Sequence, residues 1–206
     1  MPQAYALLRL LRGRNARFAA DYSHNSGVGS SLGATKAVAA ALPEVLQSLS
    51  VRSMLDIPCG DFLWMQHVDL RSLTYTGGDV IESLIHSHQA RYASPEKSFQ
   101  TLDLVTSDLP KVDMIFCRDC LVHLSDRLVK RAVNNIKRSG SRYLLTTTFP
   151  ARTTNAGIVT GSWRPINLCA PPFSFPPPIR LVDERCLAPY QDKSLGLWRI
   201  DDVPTF

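Results

Sequence analysis

No stretch of this 206-residue sequence approaches the roughly 20 apolar residues that a bilayer-spanning helix requires, so no transmembrane segment is expected. Cysteine is scarce and poorly patterned. Cys59, Cys117, Cys120, Cys169 and Cys186 are odd in number and lack zinc-type pairing, which argues against a disulfide framework. The C-R-D-C spacing at 117–120 resembles a redox motif, but no second pair accompanies it and Cys117 ends an apolar run. No metal is expected, and reduced cysteines suit a cytoplasmic protein. Basic charge is thin as well: 23 basic residues against 18 acidic ones leave +5, short of the dense stripe that marks a nucleic-acid binder. A nucleic-acid partner is therefore not expected.

Glycine is missing where it matters most. After the apolar residues of 51–57 the chain turns through Pro58, Cys59, Gly60 and Asp61, with a single glycine where a G-x-G-x-x-G loop carries three. Asp61 would also place negative charge where a pyrophosphate sits. Both features disfavour a nicotinamide or flavin dinucleotide. They suit a ligand without phosphate whose cationic end needs carboxylate or carbonyl partners.

What is present is alternation. Short apolar runs at 51–57, 73–80, 97–104, 111–117 and 141–149 predict strands, and helical spacing predicts a helix over 32–49 before the first strand and helices over 81–92 and 125–140 between later ones. Strand and helix in turn imply an α/β fold, a doubly wound and mostly parallel sheet within a single domain. Residues 150–178 form a long irregular loop rich in proline, glycine and asparagine. Trp163, Phe173 and Phe175 in it predict that it packs against the domain. Residues 179–184 and 193–200 read as a closing antiparallel hairpin at the sheet edge.

Parallel sheets bind ligands beyond the carboxyl ends of their strands, which makes the acidic strand ends informative. Asp56 ends the first predicted strand. Asp79 ends the second, where a carboxylate takes both ribose hydroxyls, and Asp103 closes the third, where it accepts from an adenine amino group. Any one of these is equally a turn former or a helix cap. Together around Gly60 they outline a nucleoside ligand with a positively charged tail.

The segments LDIPCGDFLWM, YTGGDV, LDL and VDMIFCRDCLVHL resemble the successive motifs of class I S-adenosylmethionine-dependent methyltransferases, across about residues 50–149. The segments SGVGSSLGAT and GSWRPINLCAPPF resemble a smaller bacterial branch of that superfamily. The resemblance implies a Rossmann-like, seven-stranded sheet with an antiparallel C-terminal strand, and S-adenosylmethionine as cofactor. It implies that Asp56, Cys59 and Gly60, with Asp61 and Phe62 of the same loop, meet the methionyl part. Asp79 and Val80 take the ribose, Asp103 and Leu104 the adenine, and Cys117 and Arg118 border the methyl group. Pro58 and Phe62 stand where the motif has glycine.

The acceptor residues follow from position. Asp119 and His123 come after the fourth strand, where either can serve as general base toward a hydroxyl; helix capping and core packing are their plain alternatives. Trp163, Arg164 and Asn167 combine a flat ring, a guanidinium fork and an amide, a set suited to a sugar or an anion. The expected reaction is methyl transfer to an oxygen, less readily a nitrogen, of a small-molecule or carbohydrate acceptor. A silent binding module of the same fold and a nucleic-acid methyltransferase are the alternatives. Residues 1–31 are expected to supply a basic amphipathic helix and then a loop, Ser26 to Ser30, that caps the cofactor.

Overall fold

The structure is a computed structural model that describes residues 26–71 and 73–206. The amphipathic helix expected near the start of the chain lies outside the described residues. The strands are β1 (Ser53–Asp56), β2 (Thr74–Asp79), β3 (Lys97–Thr101), β4 (Met114–Cys117), β5 (Tyr143–Thr148), β6 (Arg180–Asp183) and β7 (Ser194–Arg199). The helices are α1 (Leu32–Ser48), α2 (Glu82–Tyr92) and α3 (Asp126–Arg138). One seven-stranded sheet has the order β3-β2-β1-β4-β5-β7-β6. Its first five strands pair in parallel, and β7 runs antiparallel to both β5 and β6.

Side-chain alternation explains why the sheet is covered on both faces. In β4, Met114 and Phe116 join the core under α1, where Val38, Leu42 and Val45 recur at helical spacing. The intervening Ile115 and Cys117 join the opposite core with Val129, Val133 and Ile136 of α3. β1 and β5 alternate in the same way, Met54 and Leu145 on one side, Leu55 and Leu144 on the other. Strands buried on both faces read as unbroken apolar runs for this reason.

Several strands stop earlier than their apolar runs. β3 ends at Thr101 because the Asp103 carboxylate caps the Val105 N–H at 2.8 Å and the Asp103 N–H donates to the Ser107 hydroxyl at 2.9 Å. β4 begins only at Met114: the Val112 and Asp113 amides donate to the hydroxyls of Ser141 and Ser53 instead of to a ladder. The C-terminal hairpin is not simply appended at the edge. Apolar β7, buried along all but its last residue, inserts beside β5, and half-exposed β6 forms the edge. In the irregular loop Phe173 and Phe175 are buried, the latter edge-on to Trp198 at 5.3 Å.

β2 approaches its neighbours closely through Gly77. A Cβ there would lie 2.6 Å from the Phe99 ring and 3.2 Å from the Cys59 Cβ. Gly77→Ala is therefore expected to lower stability by about 1–3 kcal/mol, the usual cost of overpacking a core, read as a shift in the urea midpoint at unchanged m-value.

Candidate active site

The carboxyl ends of β1, β2 and β4 meet at the turn Pro58–Phe62. Asp56 is buried there and accepts a hydrogen bond from the Tyr75 hydroxyl at 2.7 Å. Burial pushes its carboxyl up to about 7, against the Tyr75 bond, and the nearby Asp79 charge adds to the rise. Asp79 is also buried, which raises it, while the amides of Ile81 (3.0 Å) and Gly60 (3.3 Å) donate to its carboxylate and hold it down.

The turn keeps its shape with one glycine because its other residues are anchored. Gly60 adopts a positive φ of 53°, and a Cβ at this position would collide with the Ser26 side chain. Its carbonyl accepts from Nε2 of His88 at 2.7 Å, and the Cys59 amide donates to the Gly78 carbonyl at 2.8 Å. Phe62, also at positive φ, does not face the site. Its ring is buried among Tyr75, Tyr92 and Phe99, with centroids 5.1–5.5 Å apart. Asp61 binds the Ser26–Ser30 loop reciprocally: its carboxylate accepts from the Ser26 amide at 2.9 Å, and its amide donates to the Ser26 hydroxyl at 2.7 Å.

Two cavities border this turn, and a third adjoins one of them. An apolar slot of about 110 Å³ lies between Pro58, Val80, Leu102, Asp103 and Leu104. A polar cavity of about 90 Å³ is lined by Asp56, Cys59, Gly60, Asp61 and Arg118, with Ser26 and Ser30 beside them. A third, of about 1020 Å³, shares Ser26, Ser30 and Asp119 with the polar one and extends to His123, Trp163 and Tyr190.

After β4 the chain builds an ion-pair tetrad around the buried Arg118 and Glu184. Arg118 binds Glu184 at 2.7 Å, approaches Asp119 at 3.3 Å and donates to the Gly29 carbonyl at 3.0 Å. Lys193 lies 2.6 Å from Asp119 and 3.2 Å from Glu184. Asp119, held at a φ of 54°, is thus clamped by two cations and poorly placed to act as a free base. His123 ends a short 3-10 turn, Leu121–His123, and its Nδ1 lies 2.9 Å from the Ser162 carbonyl. A carbonyl only accepts, so Nδ1 carries the proton and Nε2 keeps its lone pair.

Several expected site residues are engaged elsewhere. Arg164 is 2% exposed and binds Asp126 at 2.8 Å and the carbonyls of Ala156 and Leu124. Asn167 is buried, donates to the Arg152 carbonyl at 2.6 Å and accepts from the Cys169 amide at 2.9 Å. Both hold the irregular loop together rather than line the large cavity. Cys117 is fully buried in the core on the α3 side, and its hydrogen bond to Cys120, with burial, raises its thiol. Asp103 lines the slot, but its carboxylate is already shared by Val105 and Thr106. Of Trp163, Arg164 and Asn167, Trp163 alone lines the large cavity, beside Asp119 and His123.

The sequence reading missed Tyr75, His88, Glu184 and Lys193. Glu184 and Lys193 bracket the last loop, and only the fold brings them to Arg118. A strand-end acid at 184, matching those at 56 and 79, was the one available signal.

The sheet order, the reversed seventh strand and the cavities at the strand ends define a class I methyltransferase fold. Magnesium protoporphyrin IX methyltransferase (ChlM) of Synechocystis PCC 6803 with bound SAM aligns with a TM-score of 0.58 and 14% identity, over 94% of this chain and 95% of that one. The N-methyltransferase NodS of Bradyrhizobium japonicum WM9 aligns with a TM-score of 0.57 and 17% identity, over 81% of this chain and 96% of that one. In sequence, the chain is similar to a ubiquinone biosynthesis O-methyltransferase of Coxiella burnetii, 28% identical over 106 residues. That match covers 48% of this chain and 45% of the relative, so the chain spans a little under half its length. No protein-family model matches the chain.

The raised Asp56 carboxyl would make the binding of a cationic ligand in the polar cavity pH-dependent. A cationic ligand in the polar cavity favours the ionised form, so binding near neutrality should release protons and tighten between about pH 6 and 8. Tyr75→Phe removes a bond to the carboxylate, keeps it protonated to higher pH and should weaken binding at neutrality, with the deficit closing as pH rises. Calorimetry of S-adenosylhomocysteine in buffers of different ionisation enthalpy measures both effects; pH-independent affinity without proton release would contradict them.

Proposed function

We propose that this chain is an S-adenosylmethionine-dependent methyltransferase acting on a hydroxyl oxygen of a small-molecule acceptor. The observation that carries the reading is the adjacency of two cavities: the polar one over Asp56 and the large one that holds His123 share Ser26, Ser30 and Asp119 in their linings. The residues fit the cofactor on their own chemistry. Val80 and Leu104 offer an apolar slot beside Asp103 for a purine. Asp79 stands at the end of β2 for the ribose hydroxyls. Asp56 and the Gly60 turn, which line the polar cavity, suit an ammonium. When bound, the cofactor supplies a sulfonium methyl group, which the acceptor oxygen gains while sulfur keeps the electrons of the broken bond and leaves as a neutral thioether.

The chain's own residues then have separable tasks. His123 accepts the hydroxyl proton at Nε2, and the Ser162 carbonyl holds the resulting imidazolium through Nδ1–H. Asp119 orients Lys193 and Arg118 rather than taking a proton. The Ser26–Ser30 loop, tied to Asp61 and Arg118, covers the polar cavity and keeps water from it.

Asp79→Ala should weaken S-adenosylhomocysteine binding about tenfold or more, the scale of lost hydrogen bonds to a charged group. His123→Ala should leave that affinity unchanged and lower kcat about 10²–10⁴-fold, while His123→Gln, which cannot take up the proton, should not restore it. Absence of binding by S-adenosylmethionine and S-adenosylhomocysteine at millimolar concentration would sink the assignment. Tight binding without turnover on any hydroxyl acceptor would leave a silent binding module.

A further inference from the structure

The large cavity carries information about its acceptor that the expectation of a sugar did not use. Sugars are held by many side-chain hydrogen bonds, and the two polar residues best suited to that task, Arg164 and Asn167, are consumed by backbone carbonyls of their own loop. What faces the space instead is aromatic. Trp163 and Tyr190 are 40% and 38% exposed and stand edge-to-face at 4.9 Å. The fully buried Phe149 backs both rings, at 6.0 and 6.1 Å. Leu187, 87% exposed, continues this apolar wall to the rim.

The charges lining the cavity do not cancel. Asp119 and Glu184 are each matched by Arg118 and Lys193, so the tetrad is neutral. Arg185 also lines the cavity. Among the described residues its guanidinium has no carboxylate within ion-pair distance. Its backbone is held at a φ of 56° by a 2.7 Å bond from its amide to the Asp183 carboxylate. One uncompensated cation therefore faces a mainly apolar space that also contains His123.

From this juxtaposition we infer that the acceptor is a hydroxylated aromatic acid, its ring against Trp163 and Tyr190, its carboxylate toward Arg185 and its hydroxyl toward His123. This rests on the methyltransferase reading and narrows its substrate class. An aromatic ring gains offset and edge contacts on such a wall, and a guanidinium recognises a carboxylate through paired N–H donors.

The test is calorimetry of protocatechuate, its methyl ester and methyl glucoside with protein saturated in S-adenosylhomocysteine. Protocatechuate should bind about tenfold more tightly than its ester, the low end for a charge-assisted bond at an exposed site, and the glucoside more weakly than either. Arg185→Gln should erase the acid-over-ester preference and Arg185→Lys keep part of it, both with unchanged S-adenosylhomocysteine affinity. The inference is overturned by equal binding of acid and ester, by tighter binding of the glucoside, by an Arg185→Gln variant that keeps the preference, or by no aromatic binding at millimolar concentration. If S-adenosylhomocysteine itself fails to bind, the methyltransferase reading falls separately, and the same comparison on ligand-free protein still decides the acceptor class.

Discussion

The guanidinium of Arg118 ties together parts of the chain that share no strand. It reaches Glu184 after β6, Asp119 after β4 and the Gly29 carbonyl ahead of α1, and it lies over the Trp64 ring at 5.9 Å. Both Arg118 and Glu184 are buried, so removing either would strand a charge, a loss of about 3–5 kcal/mol in comparable pairs. Lys193 completes the compensation by closing on both acids. The polar cavity and the large one therefore meet at a set of matched charges, Arg118 and Asp119 on one side and Asp119, Glu184 and Lys193 on the other.

The glycine-poor turn after β1 works by a related substitution. A glycine-rich loop approaches its ligand by lacking side chains; this one keeps a side chain at Phe62 and buries it away from the site, in the ring cluster under β2 and β3. Tyr75 and His88 extend that cluster to the turn itself, one hydrogen-bonding Asp56 and the other the Gly60 carbonyl. A backbone geometry that glycine would merely permit is imposed here by packing. Gly60 stays indispensable because a Cβ would meet Ser26 of the covering loop.

The irregular segment after β5 shows how polar residues can be diverted from a ligand. A connection of that length carries many backbone groups that must be satisfied once it packs down. Arg164 and Asn167 meet that need, Arg164 also pairing with Asp126 at the start of α3. The segment is thereby stiffened, and it presents Trp163 rather than polar groups to the large cavity.

How much could be read in advance follows from the range of the interactions concerned. The five parallel strands, the helices between them and the acidic ends at Asp56 and Asp79 were legible because apolar periodicity and strand-end chemistry are local patterns. The roles of Phe62, Cys117, Arg164 and Asn167 were not, since a side chain's direction depends on neighbours far along the chain. By itself the sequence determined the layered α/β architecture and the chemistry gathered at its strand ends, because burial on both faces writes itself as alternation and near-continuous apolar runs. Only the tertiary structure decided which charges are matched, by joining Glu184 and Lys193 to residues more than 60 positions away. It alone left the Arg185 guanidinium without a carboxylate partner among the described residues, because charge compensation is a property of distance in space.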